Sequence, residues 1–152
     1  MNDLMVGSGS KVSTTQYIVI KIGDEQYGIN ISYIENISKM VHITRVPKVP
    51  VYYKGVINLR GEVVPVMSLR LKMGLEPDEF DKNTRIIILK LENVGTLGII
   101  VDSVREVVTL DENQVEKVTN DTTQANFVQS VGKYNDELIS LLDLNAVTAE
   151  KE

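Results

Sequence analysis

The stretch Tyr27-Gly28-Ile29-Asn30-Ile31-Ser32-Tyr33-Ile34-Glu35-Asn36-Ile37 has a counterpart in Leu97-Gly98-Ile99-Ile100-Val101-Asp102-Ser103-Val104-Arg105-Glu106-Val107. The glycine and the apolar positions after it fall at the same spacing, with no gap. Two more blocks match in the same order. Tyr17-Ile18-Val19-Ile20-Lys21-Ile22 reads against Ile86-Ile87-Ile88-Leu89-Lys90-Leu91, and Glu62-Val63-Val64-Pro65-Val66-Met67-Ser68-Leu69 against Glu137-Leu138-Ile139-Ser140-Leu141-Leu142-Asp143-Leu144. Three matched blocks make two copies of one supersecondary unit, and a self-repeat of this kind governs the fold.

Each copy is about 60–70 residues long, a size that buries only roughly 60% of its unfolded surface and is marginal alone. The copies are therefore expected to pack on each other, so that their junction forms a groove. The whole chain has 152 residues, the length of one domain or one tight pair of subdomains.

Local patterns fill in the unit. Ile18, Ile20 and Ile22 alternate to one face, as in a half-buried strand. Gly28 inside the returning strand signals a bulge or a close backbone approach. Ile31, Ile34 and Ile37 recur every three residues, which fits a short helical turn leading into a strand. Val46-Pro47 and Val49-Pro50 mark a loop or extended segment. Residues 55–59 and 62–68 read as a hairpin across Arg60-Gly61, followed by a helical turn at 69–73. The polar stretch 74–83 connects the copies.

The second copy repeats the plan. Strands fall at 85–91, 96–101 and 106–109, with a short turn at 102–104 and a loop at 119–123. A hairpin follows at 127–133 and 137–142 across Tyr134-Asn135-Asp136, then a short helix from 144 to about 150. Residues 1–15 carry Gly7-Ser8-Gly9-Ser10 and no apolar core of a signal peptide, and read as a disordered tail. Many short strands with frequent turns indicate small antiparallel barrels.

Composition narrows function. The net charge of −5 and pI near 5.0 give no basic footprint for nucleic acid or acidic lipid, with Lys and Arg read as scattered. Cysteine is absent, which removes disulfide and thiol chemistry and fits a reducing cytoplasm. No apolar run approaches the roughly 20 residues of a membrane span. His42 is the single histidine, so a His-based triad or a zinc cluster has little to build on. No phosphate-binding glycine motif follows a strand. Asp102, after the apolar run Ile99-Ile100-Val101, is the best candidate for carboxylate chemistry, but its place after a strand reads better as the cap of the next turn.

Recognition chemistry is more promising. In Lys54-Gly55-Val56-Ile57-Asn58-Leu59-Arg60-Gly61-Glu62-Val63-Val64-Pro65-Val66, the residues Val56, Val64 and Val66 face a core. Asn58 and Arg60 lie beside two glycines, which admit positive φ or close approach. The Arg60 guanidinium carries five donors in a fixed fork. Together they suggest a polar-rimmed ledge beside apolar surface.

At these residues the chain resembles the CheW family of bacterial chemotaxis coupling proteins. Gly55-Val56-Ile57-Asn58-Leu59-Arg60-Gly61 with Val64-Pro65-Val66 is similar to the family signature, and Gly98-Ile99-Ile100-Val101-Asp102-Ser103-Val104 and Tyr27-Gly28-Ile29 to two further hallmarks. The resemblance spans residues 16–147. It implies an all-β fold of two SH3-like five-stranded antiparallel β-barrel subdomains, with short helical turns and a short C-terminal helix. The expected boundaries are a single domain over 16–150, with barrels at about 16–73 and 84–144.

The resemblance further implies a cytoplasmic, non-catalytic adaptor without cofactor or metal, monomeric when free. It would couple methyl-accepting chemoreceptors to the regulatory domain of the histidine kinase CheA, or serve a non-motility chemosensory pathway in the same way. Implied receptor contacts are Ile34, Asn36, Ile37, Gly55, Asn58, Arg60, Val104 and Val107, in the groove between barrels. Gly55 would admit a receptor helix backbone. Implied kinase contacts are Ile43, Thr44 and Val46. The family often has Glu where this chain has Asn36, leaving Glu35 or Asn36 as the partner of Arg60. Ser68 stands where Asp is common, while the second copy keeps Asp143; both are read as structural.

Overall fold

Two β-hairpins change places between the halves of the chain. The computed structural model describes residues 13–118 and 127–149, so the tail up to residue 12, the loop at 119–123 and residue 150 of the expected last helix lie outside the described residues. In chain order the elements are β1 (Thr14–Ile22), β2 (Glu25–Asn30), a 3₁₀ turn (Ile31–Tyr33), β3 (Ile34–Lys39), β4 (Tyr53–Leu59), β5 (Glu62–Ser68) and α1 (Leu69–Lys72). Then come β6 (Arg85–Leu91), β7 (Gly95–Val101), β8 (Ser103–Asp111), a second 3₁₀ turn (Glu112–Gln114), β9 (Val115–Lys117), β10 (Val128–Tyr134), β11 (Glu137–Leu142) and α2 (Leu144–Thr148).

One sheet runs β8-β1-β2-β11-β10-β9 and the other β3-β6-β7-β5-β4. Under the repeat, β1 to β5 correspond to β6, β7, β8, β10 and β11. The two orders are then identical, with β9 added at one edge. Each copy therefore lends its first hairpin to the other copy's sheet. This corrects the expected barrel boundaries: neither 16–73 nor 84–144 contains a complete sheet. The expected all-β fold of two small barrels with short helical turns and a short C-terminal helix holds, and two details of it differ. One sheet has six strands, and the exchanged hairpins pair in parallel, β2 with β11 and β5 with β7.

The physical reason lies in the hairpins themselves. Ile18, Val19 and Ile20 are all buried, as is the whole run Ile86, Ile87, Ile88 and Leu89. The half-buried strand expected at 17–22 is thus buried on both faces, the usual setting for near-continuous apolar runs. One face joins a shared core with Ile18, Ile20, Ile22 and Ile29 meeting Ile87, Leu89, Leu97 and Ile99. The opposite faces fill the separate barrels: Ile86, Ile88 and Ile100 pack with Ile57, Val64 and Val66, and Val19 packs with Val108, Leu110, Ile139 and Leu141. Fully burying each such side chain is worth about 1.5–3 kcal/mol. Gly28 and Gly98, the repeat glycines, face these interiors. A Cβ at Gly28 would stand 2.7 Å from Leu141 Cδ2, and one at Gly98 would stand 2.8 Å from Ile86 Cγ2.

Each barrel closes through its own chain. After β3 the backbone returns at Thr44, whose N–H and C=O both bond to Val56 at 2.8 Å. After β8 the chain returns as β9 beside β10. The hairpins β4–β5 and β10–β11 turn on Arg60-Gly61 (φ 53° and 84°) and Asn135-Asp136 (φ 50° and 65°), positive at both positions as a type I′ turn demands. Ser68 and Asp143 are the repeat-equivalent N-caps of α1 and α2, accepting from Leu71 N–H and from Asn145 and Ala146 N–H. Three local expectations fail. Val56, expected to face the core with Val64 and Val66, is only half-buried, and its neighbour Ile57 takes that place. Thr14 and Thr15, read as tail, pair with Asp111 and Leu110 in β1–β8. Residues 103–104, read as a turn, are already β8.

The exchange makes each half dependent on the other. Residues 1–83 and 84–152 produced separately should lack the β signal in far-UV circular dichroism and regain it on mixing; a half that folds alone would contradict this dependence.

Candidate functional site

The chain crosses between sheets twice, and both crossings lead into the edge strands that carry the expected receptor contacts. The first, from β2 to β3, is the 3₁₀ turn capped by Asn30, whose Oδ1 accepts from Ser32 N–H at 2.9 Å. The second, from β7 to β8, is Asp102 alone. Its Oδ1 accepts from Arg70 Nε at 2.9 Å, and its Oδ2 accepts from Arg70 Nη2 at 2.6 Å and from Gly23 N–H at 2.7 Å. Asp102 therefore does not cap a following turn. It ties α1, the β1–β2 turn and the crossover together. Arg70 holds the Asp102 carboxyl below the usual carboxylate range, helped by the Gly23 N–H against the opposing effect of burial. Asp78 behaves oppositely: burial pushes its carboxyl up, although it accepts a short hydrogen bond from the Ser68 hydroxyl. Sequence reasoning missed Arg70. Its partner lies 32 residues away, and no local pattern announces the pair.

Just past each crossing the edge strand carries a matched irregularity. The β3–β6 register slips between Ile34 and Asn36, leaving Glu35 unpaired, and the β1–β8 register slips between Val19 and Ile20, leaving Arg105 unpaired. Glu35 and Arg105 are repeat-equivalent. A bulge twists and re-aims an edge strand. Before the bulges, Ile34 and Val104 both pack on the rim of the shared core. After them, Ile37 and Val107 remain 36% and 48% exposed. The two pairs therefore hold equivalent positions on the edge strands of the two sheets.

The remaining expected receptor contacts sit elsewhere. Asn58 and Arg60 belong to the β4–β5 hairpin, at the opposite edge of the sheet from β3. Leu59 anchors that hairpin on the first barrel's interior rather than on the shared core. Asn58 Oδ1 accepts from Gly61 N–H at 3.2 Å and shapes the turn. Asn36 Oδ1 accepts from Ile37 N–H at 2.8 Å, and Arg60 forms no ion pair among the described residues. Neither Glu35 nor Asn36 is therefore its partner.

Gly55 requires a correction. It is buried at φ 141°, and a Cβ there would lie 2.1 Å from Thr44 O and 3.0 Å from Arg45 Cα. The space beside Gly55 is filled by the chain's own 44–45 backbone, so it does not admit a partner helix. The glycine seats the segment that closes the first barrel.

That segment carries the expected kinase contacts. Ile43 packs on the first barrel's interior, Thr44 makes the bridge to Val56, and Val46 is 39% exposed. Val46, Val49, Val51, Tyr53 and Phe80 line an open depression of about 560 Å³. His42 is exposed. Among the described residues no three His, Asp or Glu side chains gather as a metal site, and no helix is long and apolar enough to cross a membrane.

Fold and site define a class: two interlocked β-barrels whose unusual chemistry lies on exposed edge strands and on one loop. The chain belongs to the CheW-like domain family, whose pattern matches residues 16–152. It is 36% identical over 133 residues to the chemotaxis protein CheW of Helicobacter pylori, covering 87% of this chain and 80% of that protein. The chemotaxis protein CheW of Bacillus subtilis is also 36% identical, over 86% of this chain and 84% of its own length. The crystal structure of the scaffolding protein TtCheW from Thermoanaerobacter tengcongensis superposes with a TM-score of 0.80 at 33% identity, covering 86% of this chain and 90% of that one.

Two stability outcomes follow from this geometry. Asp102→Asn should cost about 1.5–3 kcal/mol in urea unfolding at pH 7, the range for hydrogen bonds to charged groups. Because the folded carboxyl titrates below its unfolded value of about 4, this stability is present above pH 4 and lost as pH falls through the folded value. The gap between wild type and variant should therefore narrow in acid; a gap constant from pH 7 to pH 2 would refute the ionic lock. Gly55→Ala should cost about 3 kcal/mol or more, since both backbone strain and a backbone clash oppose it. A thermal midpoint unchanged by that substitution would show the closing segment to be loose.

Proposed function

We propose that this chain is a non-catalytic coupling scaffold of chemotaxis signal transduction, joining methyl-accepting chemoreceptors to the regulatory domain of the histidine kinase CheA. One observation carries the reading: Ile37 and Val107 stand exposed at repeat-equivalent points on two edge strands, each three residues past a residue seated on the shared core. Exposed apolar groups at matched positions are informative in a way that scattered ones are not. The names of the relatives, chemotaxis proteins and a scaffolding protein, support the same reading.

In this proposal Ile34, Asn36, Ile37, Val104 and Val107 receive the helical tip of the receptor. Ile and Val side chains act as anchors for an amphipathic helix. Asn58 and Arg60 approach from the β4–β5 hairpin, the guanidinium meeting carboxylates or carbonyls of the receptor. Gly55 serves indirectly, by seating the barrel-closing segment. The kinase docks on the face of Ile43, Thr44 and Val46, barrel against barrel. The scaffold works in the cytoplasm as a monomer when free.

Desolvating one such anchor is worth about 1.5–3 kcal/mol, and each 1.4 kcal/mol is tenfold in affinity. Val107→Asp should accordingly weaken co-sedimentation with a receptor fragment at least about tenfold without moving the thermal midpoint, and Arg60→Ala should weaken it less. Val46→Glu should reduce co-elution with CheA while sparing the receptor; it is a cleaner probe than Ile43→Glu, because Ile43 also packs on the barrel interior. Normal binding of both partners by Val107→Asp and Val46→Glu would reject the proposal.

A further inference from the structure

The acidic chain has a face with no acid in it. Between Glu35 and Glu62 there is no Asp or Glu, while Lys39, Arg45, Lys48, Lys54 and Arg60 are all cationic, in a protein of net charge −5. The reading of Lys and Arg as scattered fails here. Folding gathers part of this run around the open depression beside β4, where Arg45, Lys48 and Lys54 stand with Val46, Val49 and Val51. Val49 is 39% and Val51 76% exposed, and Phe80, 53% exposed, adds an aromatic ring from the connector. Glu79 and Asp81 line a separate depression with Arg70 and Asp102. Among the described residues Arg45, Lys48 and Lys54 form no ion pair.

The repeat supplies an internal control. The equivalent excursion of the second copy also leaves an edge strand and returns to pair beside the β10–β11 hairpin. Its described part carries Asp111, Glu112 and Glu116 with Lys117 as its one cation. The same structural task is met with the opposite sign of charge, so barrel closure does not require the cations of the first copy.

We infer that the Arg45, Lys48 and Lys54 rim selects an acidic segment with apolar anchors on the kinase regulatory domain, the apolar groups entering the depression and the carboxylates meeting the rim. This rests on the kinase-docking reading above and adds to it the charge of the partner surface. Rim charges act chiefly on encounter rate, salt dependence and rejection of wrong partners. An uncharged or basic segment would leave three cations facing it without counter-charge.

The test measures binding of the full chain to the CheA regulatory domain by titration at 50 and 300 mM NaCl. Wild type should lose at least about tenfold in affinity over that range. The variant Arg45→Glu/Lys48→Glu/Lys54→Glu should bind at least about tenfold more weakly at low salt, with a flattened salt response, and should still co-sediment with the receptor fragment as proof of fold. If wild-type and triple-variant affinities agree and neither depends on salt, while Val46→Glu abolishes binding, the charge inference falls and the docking reading stands. If wild type does not bind the regulatory domain at either salt, the docking reading fails and the inference with it. Wild-type binding to phosphatidylglycerol vesicles that the triple variant loses, with kinase affinity unaltered, would overturn the inference in favour of a lipid surface.

Discussion

Two apolar hairpins that must be covered on both faces constrain everything else in this molecule. A hairpin such as β6–β7, with Ile86 through Leu89 all buried, has no face to give to water. One side must close a barrel and the other must meet a second layer. Exchanging hairpins between copies meets both needs at once. Each hairpin completes a barrel whose remaining strands come from the other half, and the two hairpins lie against each other in the shared core. The strength of the arrangement is that no barrel can form without the other.

The exchange also shapes the exposed edge strands. A swapped hairpin has to be followed by a crossing back, and each crossing delivers the chain to an edge of a sheet. The first crossing is a capped 3₁₀ turn. The second is one aspartate held by an arginine fork and a backbone N–H. These devices differ chemically but do the same mechanical work, setting Ile34 and Val104 on the shared core and leaving the next apolar residues outside. Edge strands are prone to unwanted pairing unless twisted or blocked. Matched bulges at Glu35 and Arg105 supply that twist, and side-chain contacts rather than strand pairing are then left for a partner.

Pseudo-symmetry is broken where the two copies face outward. The first copy closes its barrel by a single bridge at Thr44 over a side-chain-free Gly55, and surrounds that bridge with positive charge. The second uses a short strand, β9, with acids before and along it. Duplication thus gives two equivalent scaffolds, and divergence of the closing segments gives them different surfaces.

The repeat, the all-β character, the hairpin at Arg60-Gly61, the connector at 74–83 and the equivalence of Ile34/Ile37 with Val104/Val107 were legible in the chain, because each is local or depends on comparing one stretch with another. Periodicity and turn chemistry act over a few residues, and the self-match needs no third dimension. The exchange of hairpins, the Arg70–Asp102 lock, the occupant of the space beside Gly55 and the gathering of three cations around an apolar depression were decided by tertiary structure. Each joins residues whose separation carries no periodic signal. An apolar run announces that it will be buried, but which half of the chain buries it is settled only when both halves compete for the same core.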